Sequence, residues 1–250
     1  MDVQPDTRPT FATLKAGLDV RAGGRIVASC SEALSTGFTP LDRALAGGFP
    51  RGLLATLEGA PCSGRTAILA GVLAQATRSG LAAIVDDGTL YPPGLERAGV
   101  RLDRVLIVQA HSPLETARSA DILLRAQCFE ALAMPAVPLR ATVWSRLCGL
   151  AQKAGTVVFV LGAQAGSELA YFASTRVRCG VERVLWSGDA GLLADVAGYD
   201  VGAQILKNRR AAPGAVARIR ILRESSGAPL RGGRAAASAP RPLQVAQAVS

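Results

Sequence analysis

The stretch LLATLEGAPCSGRT, residues 53–66, joins a short apolar run to a loop bounded by glycines, and a helix-like segment follows it. A strand, a loop and a helix in this order are typical of the phosphate-loop pattern G-x-x-x-x-G-K-[ST]. Gly59, Gly64 and Thr66 match the pattern, but Arg65 stands at the lysine position. Glycines at these places let backbone N–H groups converge on phosphate oxygens at a helix N-terminus. The stretch therefore predicts a phosphate-loop fold.

The residues predicted to contact a bound nucleotide are Gly59, Ser63, Gly64, Arg65 and Thr66. The Thr66 hydroxyl would coordinate Mg²⁺. Arg65 keeps the positive charge, but a planar guanidinium does not freely replace a compact ammonium in a tight cradle. Two interpretations stay open. The loop binds ATP with Mg²⁺ weakly, or it is an inherited loop that holds the fold and binds no nucleotide.

Short apolar runs alternate with helix-like segments along the chain. Strands are predicted at Leu53–Glu58, Ala82–Asp86, Arg104–Val108, Cys128–Met134 and Thr156–Leu161. Helices are predicted at Gly64–Ser79, Pro113–Gln127 and Leu139–Ala154. Later strands, separated by turns, are predicted at Arg176–Leu185, Tyr199–Lys207 and Ala215–Leu222. This order predicts an α/β fold: a mostly parallel twisted sheet flanked by helices, with antiparallel strands added near the C-terminus.

Two local features refine this prediction. Ser112-Pro113-Leu114-Glu115 has the S-x-x-E spacing of a capping box with proline at the first helical position, so a helix should begin there. Trp144 and Trp186 are interpreted as packing residues, since neither lies in a basic aromatic cluster.

Composition limits the possible classes. The chain has 250 residues, of which 49% are apolar, enough for one sizeable core. It has no apolar run of about 18 residues and no signal-type start, which predicts a cytoplasmic protein without a membrane partner. Five widely spaced cysteines and a single histidine, His111, argue against a metal cluster, a disulfide scaffold and histidine-based catalysis.

The charge is concentrated near the C-terminus. Of the net +9, the segment Ile205–Ser250 carries nine basic residues against the single acid Glu224. The predicted organisation is an N-terminal segment at residues 1–31 with a possible short helix at Phe11–Val20, a core domain at residues 32–223, and a disordered basic tail at residues 224–250. A basic tail suits non-specific contact with DNA or an acidic partner, and a merely solvated tail is the alternative.

Several segments, in chain order, resemble the RecA recombinase core. They are LSTGFTPLD at 34–42, GGFPRG at 47–52, AIVDD at 83–87, LERAGV at 95–100, LDRVL at 102–106, YFASTRV at 171–177, ILKNRRAAP at 205–213 and RIL at 220–222. They resemble the entry into the first core strand, the stretch with the catalytic carboxylate, the segment after the second DNA-binding loop and the last core strands. The resemblance implies a RecA-like phosphate-loop core.

The departures from this family are as informative as the similarities. Gly88 stands where the family places its catalytic glutamate, and ALAMP at 131–135 lacks the Walker B aspartate. An ATPase needs one group that orients the attacking water, and it also needs carboxylates that hold Mg²⁺. We therefore expect strongly reduced ATP hydrolysis and no catalytic residue. The two DNA-binding loops are also short, and residues 162–170 contain no Arg or Lys, which argues against a recombinase-style filament.

Lys207 and Arg209 occupy positions where recombinases place cations that reach the ATP phosphates of a neighbouring subunit. The resemblance therefore implies contacts in trans. The alternative is two outward-facing charges on a strand.

A shortened RecA core without the catalytic acid and with an arginine-rich tail resembles the ImuA family. Those proteins accompany an ImuB-type polymerase homologue and an error-prone polymerase in damage-induced (SOS) translesion synthesis. The resemblance implies a non-catalytic accessory protein in DNA repair, an adaptor for the polymerase-like partner, for RecA, or for both. The alternative is a weak DNA-dependent ATPase of the RecA family.

Overall fold

The computed structural model describes residues 32–187, 195–210 and 213–222. The strands are β1 Ala33–Leu34, β2 Phe49–Pro50, β3 Leu54–Glu58, β4 Leu81–Asp86, β5 Val105–Gln109, β6 Phe129–Pro135, β7 Val157–Gly162, β8 Thr175–Ser187, β9 Asp195–Asn208 and β10 Val216–Leu222. The helices are α1 Thr39–Ala44, α2 Arg65–Ser79, α3 Pro92–Arg97, α4 Pro113–Arg125, α5 Ala141–Ala154 and α6 Ser167–Phe172. The predictions for residues 1–31 and 224–250 lie outside the described residues.

Eight strands form one mixed sheet in the order β10-β9-β8-β3-β7-β6-β4-β5. Neighbours from β8 to β5 are parallel, whereas β8–β9 and β9–β10 are antiparallel. β1 and β2 form a separate antiparallel pair. The predicted fold class is confirmed.

Two apolar clusters cover the two faces of this sheet. On one face Ile68 and Leu73 of α2 pack with sheet residues such as Phe159. On the other face Trp144 of α5 packs with residues such as Leu132. Strands covered on both faces need apolar side chains at nearly every position, which is why β3 and β4 are buried throughout their length.

The five predicted parallel strands begin and end within one residue of those observed. The short helix α6 at Ser167–Phe172 was not predicted, because six residues carry almost no periodic signal. The strands β8 and β9 are longer than predicted, and at their far ends they pair with each other beyond the last pairing of β9 with β10. The interpretation of Trp186 as a packing residue is wrong, since it lies at this end of β8 and is 64% exposed.

The start of α4 confirms the main part of the predicted cap. The Ser112 hydroxyl accepts a hydrogen bond from the Glu115 N–H at 3.2 Å, and Pro113 is the first helical residue. The Glu115 carboxylate accepts at 2.8 Å from the N–H of His111, one residue before the position that a capping box uses. Both ends of the turn are thus held by side chains.

Replacing Ser112 by alanine should lower the free energy of unfolding by about 1 kcal/mol, because one N–H at the start of α4 loses its acceptor. Urea denaturation measures this loss. Ser145→Ala, at an exposed position inside α5, is the matched control and should leave stability within about 0.5 kcal/mol of the wild type. Equal stability of Ser112→Ala and the wild type would show that water caps this turn equally well.

The topology brings the ends of several strands together. β3, β4, β6 and β7 are parallel, so their carboxyl ends meet at one edge of the sheet, and the loop after β3 lies there. β7 lies between β3 and β6, and β4 is three strands from β3. No helix among the described residues is long and apolar enough to cross a membrane.

Candidate phosphate-binding site

The loop between β3 and α2 depends on glycine at its last turn. Gly64 precedes α2 with a φ of 86°, in the left-handed region. A Cβ at Gly64 would lie 2.7 Å from Cγ2 of Val201, on β9. The loop is thus pressed against a strand from the C-terminal part of the chain. Cys62, at the exposed tip, also has a positive φ of 62°.

Two polar groups of the loop suit an anion. The half-buried Arg65 guanidinium donates a hydrogen bond to the Gly59 carbonyl, so its charge lies across the loop. The Ser63 hydroxyl is buried and has no hydrogen-bond partner among the described residues. It points across the loop, since a Cβ at Gly59 would lie 2.4 Å from it. A cation and an unpaired hydroxyl beside a helix N-terminus form a credible phosphate cradle.

A cavity of about 590 Å³ adjoins this loop. Arg65 and Thr66 stand at its loop end, and Phe38, Leu69 and Leu95 provide apolar wall. The carboxyl end of β10 forms another part of the wall. Cavities of several hundred Å³ with apolar walls and a few polar groups commonly hold small molecules. Of the five predicted loop residues, Arg65 and Thr66 therefore line a ligand-sized space, whereas the other three do not.

The carboxylates nearest to the family's catalytic position close a turn. Asp86 Oδ1 accepts from the Leu90 N–H at 3.0 Å, and Asp87 Oδ1 accepts from the Thr89 hydroxyl at 2.7 Å. Gly88 has a φ of 92°, and a Cβ there would meet open space. Glycine has no side chain, so position 88 supplies no base.

The residues fit a nucleotide phosphate, and two carboxylates lie in the wall of the adjoining cavity. Asp86 and Asp87 line this cavity, as the exposed Thr66 does. Mg²⁺ in phosphate-binding sites is usually held by one or two carboxylates in addition to the phosphates. Thr66, Asp86 and Asp87 are therefore the residues that would hold the metal. β6 ends in Met134 and Pro135, so no carboxylate stands at its carboxyl end.

A buried ion pair lies directly below the loop, and sequence reasoning missed it. Glu58, the last residue of β3, accepts from Arg176 of β8 at 2.7 Å (Nε–Oε1) and 3.1 Å (Nη2–Oε2). The Thr56 hydroxyl donates to Glu58 at 2.8 Å. Burial raises the pKa of Glu58, but Arg176, Thr56 and the Ala165 N–H together hold it below its ordinary value. The sequence feature that could have indicated this ion pair is the glutamate at the end of a mostly apolar strand.

The Lys207 ammonium group makes hydrogen bonds within its own chain. Its Nζ donates to the carbonyls of Ala170 and Tyr171, both at 3.0 Å, at the end of α6. Burial, with Arg209 and Arg176 nearby, lowers the pKa of Lys207. Lys207 and the exposed Arg209 are not among the residues that line the cavity. Their contact with a neighbouring subunit's nucleotide stays a prediction.

Comparison with known proteins agrees with this geometry. Residues 19–141 match the RecA N-terminal domain family. The chain is 31% identical over 124 residues to protein RecA of Dichelobacter nodosus, covering 48% of this chain and 35% of that relative. It is 38% identical over 97 residues to protein RecA of Methylococcus capsulatus, covering 38% and 28%. The chain thus spans about a third of the length of these relatives.

The fold has a solved counterpart. The crystal structure of the RadB recombinase superposes with a TM-score of 0.60 and 19% identity, covering 75% of this chain and 96% of that one. At this identity the similarity concerns the fold. Together with the family match and the phosphate loop after β3, it supports a place for this chain in the RecA-like family.

Proposed function

We propose that this protein is a non-catalytic accessory factor of the ImuA type, acting in the cytoplasm in damage-induced mutagenic translesion synthesis. It would serve as an adaptor for an ImuB-type polymerase homologue, for RecA, or for both, within an error-prone polymerase complex. Its basic C-terminal region would add non-specific contact with DNA phosphates.

The observation that carries this proposal is a RecA-like loop and cavity without a carboxylate at either of the family's two catalytic positions, residue 88 and the end of β6. Gly88 leaves open space at the position of the catalytic acid, and Met134 and Pro135 end the strand that would carry the metal ligand. Glu58 cannot replace them, because Arg176 and Thr56 occupy both of its oxygens. A protein that keeps the fold but lacks these groups is better suited to binding than to turnover.

The surface offers a place for a protein partner. Val181, Val184 and Trp186 of β8 are 39%, 36% and 64% exposed. Exposed apolar side chains that include a tryptophan are common in protein interfaces. In addition, only residues 163–166 separate β7 from α6, which leaves little chain for a DNA-binding loop.

The protein should release phosphate from ATP at the background rate, with or without single-stranded DNA. A positioned general base contributes about 10²- to 10⁴-fold, and Gly88, at the family's catalytic position, supplies none. Steady-state phosphate release with Mg²⁺ measures this. DNA-stimulated turnover that Thr66→Ala abolishes would favour the alternative, a weak DNA-dependent ATPase of the RecA family.

Partner binding is tested with purified ImuB-type polymerase homologue and with RecA, each immobilised. We expect retention of the wild type, and weaker retention of Trp186→Ala and of a chain lacking Gly227–Ser250. Ile122→Ala, 50% exposed on α4, is the matched control and should bind like the wild type. Absence of binding to both partners would refute the adaptor proposal.

A further inference from the structure

We infer that the open edge of strand β10 binds an extended acidic segment of a partner protein, which adds one strand to the sheet. The inference rests on the proposed function, because it specifies how the accessory protein holds its partner. Strand β10 ends the eight-stranded sheet and, among the described residues, pairs with β9 alone. It has seven residues, Val216–Leu222, with no proline, glycine or bulge. A long, regular edge of this kind is a template for pairing with another strand.

The pairing with β9 determines which backbone groups of β10 point outward. The N–H of Ile205 donates to the carbonyl of Ala215 at 2.8 Å, so these two residues form a hydrogen-bonded pair. Such pairs alternate along an antiparallel ladder, so every second residue after Ala215 also bonds to β9. The residues in between, Val216, Arg218 and Arg220, turn their N–H and C=O groups toward the open edge. The edge thus offers donors and acceptors in alternation, as an incoming strand requires.

The two faces of β10 define the side chains that an added strand should carry. Ala217 and Ile219 are buried in the apolar cluster that contains α2. Arg218 and Arg220 lie on the opposite face. Residues directly opposite each other on paired strands share a face. An added strand should therefore place apolar side chains beside Ala217 and Ile219 and acidic side chains beside the two arginines.

The arginines have partners on their inner side. Nε of Arg218 donates to Glu182 of β8 at 3.1 Å, and Arg220 donates to Asp200 of β9 at 2.7 and 3.1 Å. Both acids belong to strands inside the edge, whereas β10 itself carries no acid. The Arg218 side chain is 76% exposed, and its contact with Glu182 uses Nε alone. Its remaining N–H groups can therefore engage a carboxylate of the added strand.

Charge separates this occupant of the edge from the other candidates. Antiparallel pairing of β10 with β10 of a second copy would bring the arginines of one copy beside those of the other. Residues 223–250 of the chain itself contain four arginines and a single acid, Glu224. Phosphates of a nucleic acid would pair with the arginines but would leave the outward carbonyl groups without donors. An acidic polypeptide strand satisfies the side chains and both kinds of backbone group.

Peptide titration and hydrogen exchange resolved to single amides test the inference on the full chain. In the free protein the outward amides of Arg218 and Arg220 should exchange much faster than those of Ala217 and Ile219. A synthetic peptide of alternating Val and Glu, as long as β10, should protect these outward amides. It should bind about tenfold or more tightly than a peptide of alternating Val and Lys.

Two variants of Arg218 separate the contribution of its charge from that of its backbone. Arg218→Ala removes the charge and should weaken binding of the Val/Glu peptide by about fivefold or more. Arg218→Pro also removes an outward N–H, which a sheet edge tolerates, and should weaken binding further. The exposed ion pair with Glu182 contributes little to stability, so both variants should fold. Arg118→Ala, exposed on α4, is the matched control and should bind like the wild type.

Equal binding of the two peptides, binding of neither, or equal binding by Arg218→Pro and the wild type would overturn the inference. Slow exchange of the outward amides in the free protein would overturn it too. The cover would be the chain's own residues if that protection were independent of protein concentration, and a second copy if it rose with concentration. Protection by oligothymidylate instead of the Val/Glu peptide would assign the edge to nucleic acid.

Failure of this inference and failure of the adaptor proposal give different results. If the immobilised partners retained Arg218→Pro as they retain the wild type, the adaptor proposal would stand and β10 would lie outside the interface. If the Val/Glu peptide bound but neither immobilised partner retained the protein, the edge site would stand and the adaptor proposal would be refuted.

Discussion

Replacing Arg176 by alanine should lower the free energy of unfolding by about 3–5 kcal/mol, because it leaves the Glu58 carboxylate buried without a cation. The Glu58 side chain is 1% exposed and that of Arg176 is 20% exposed. The Thr56 hydroxyl and the Ala165 N–H remain as donors, but neither carries a charge. Urea denaturation near pH 7 measures the loss.

The double variant Glu58→Gln, Arg176→Met is the control for this result. It removes both charges and keeps similar side-chain volumes, so it should cost much less than Arg176→Ala alone. If the single and the double variant lost the same stability, the cost would come from lost packing of Arg176, and the ion pair would have no special weight.

The same pair makes stability depend on pH. The pKa of Glu58 is lowered in the folded protein from its ordinary value of 4.5. The folded state therefore gains stability from the ionised carboxylate at pH values above about 4.5, and this gain is lost as the pH falls through the lower folded pKa. The stability difference between the wild type and the Glu58→Gln, Arg176→Met variant should shrink on acidification. A difference that stays constant down to pH 3 would contradict the assignment.

Local patterns explain why most of the fold could be predicted. The strand before the loop, the helix after it and the cap at Ser112 are each encoded by residues close together in the chain. The parallel strands are mostly apolar because helices cover both faces, and that composition is visible in the sequence. The phosphate loop could be predicted because its residues, 59–66, are also consecutive in the chain.

The features that could not be predicted depend on contacts between distant residues. Glu58 and Arg176 are 118 positions apart, and their pairing needs β8 to lie beside β3. The hydrogen bonds from Lys207 to the carbonyls of α6 could not be predicted, because a six-residue helix is too short to show a helical pattern of apolar residues in the sequence. The exposure of Trp186 depends on the pairing of β8 with β9, which includes a register shift between Leu185 and Trp186.

The contact between Gly64 and Val201 is of this long-range kind, and it leads to a further expected result. Gly64→Ala should lower the free energy of unfolding by about 2–5 kcal/mol. A left-handed backbone costs a residue with a Cβ about 1–2 kcal/mol, and overlap with a packed side chain costs about 1–3 kcal/mol. The added Cβ would lie 2.7 Å and 2.9 Å from the two methyl groups of Val201, so either the loop or β9 must move. Urea denaturation and nucleotide titration should both register the change.

A double-mutant cycle separates the two costs. Val201→Ala removes the methyl groups, so Gly64→Ala should cost about 1–2 kcal/mol less in that background than in the wild type, while the cost of the left-handed φ of 86° remains. Gly149→Ala is the matched control, since Gly149 is helical, exposed and has no atom within 4 Å of a Cβ; this change should raise stability by about 0.5–1 kcal/mol. If Gly64→Ala cost the same with and without the Val201 methyl groups, strand β9 would not support the loop, and the phosphate cradle would be held by β3 and α2 alone.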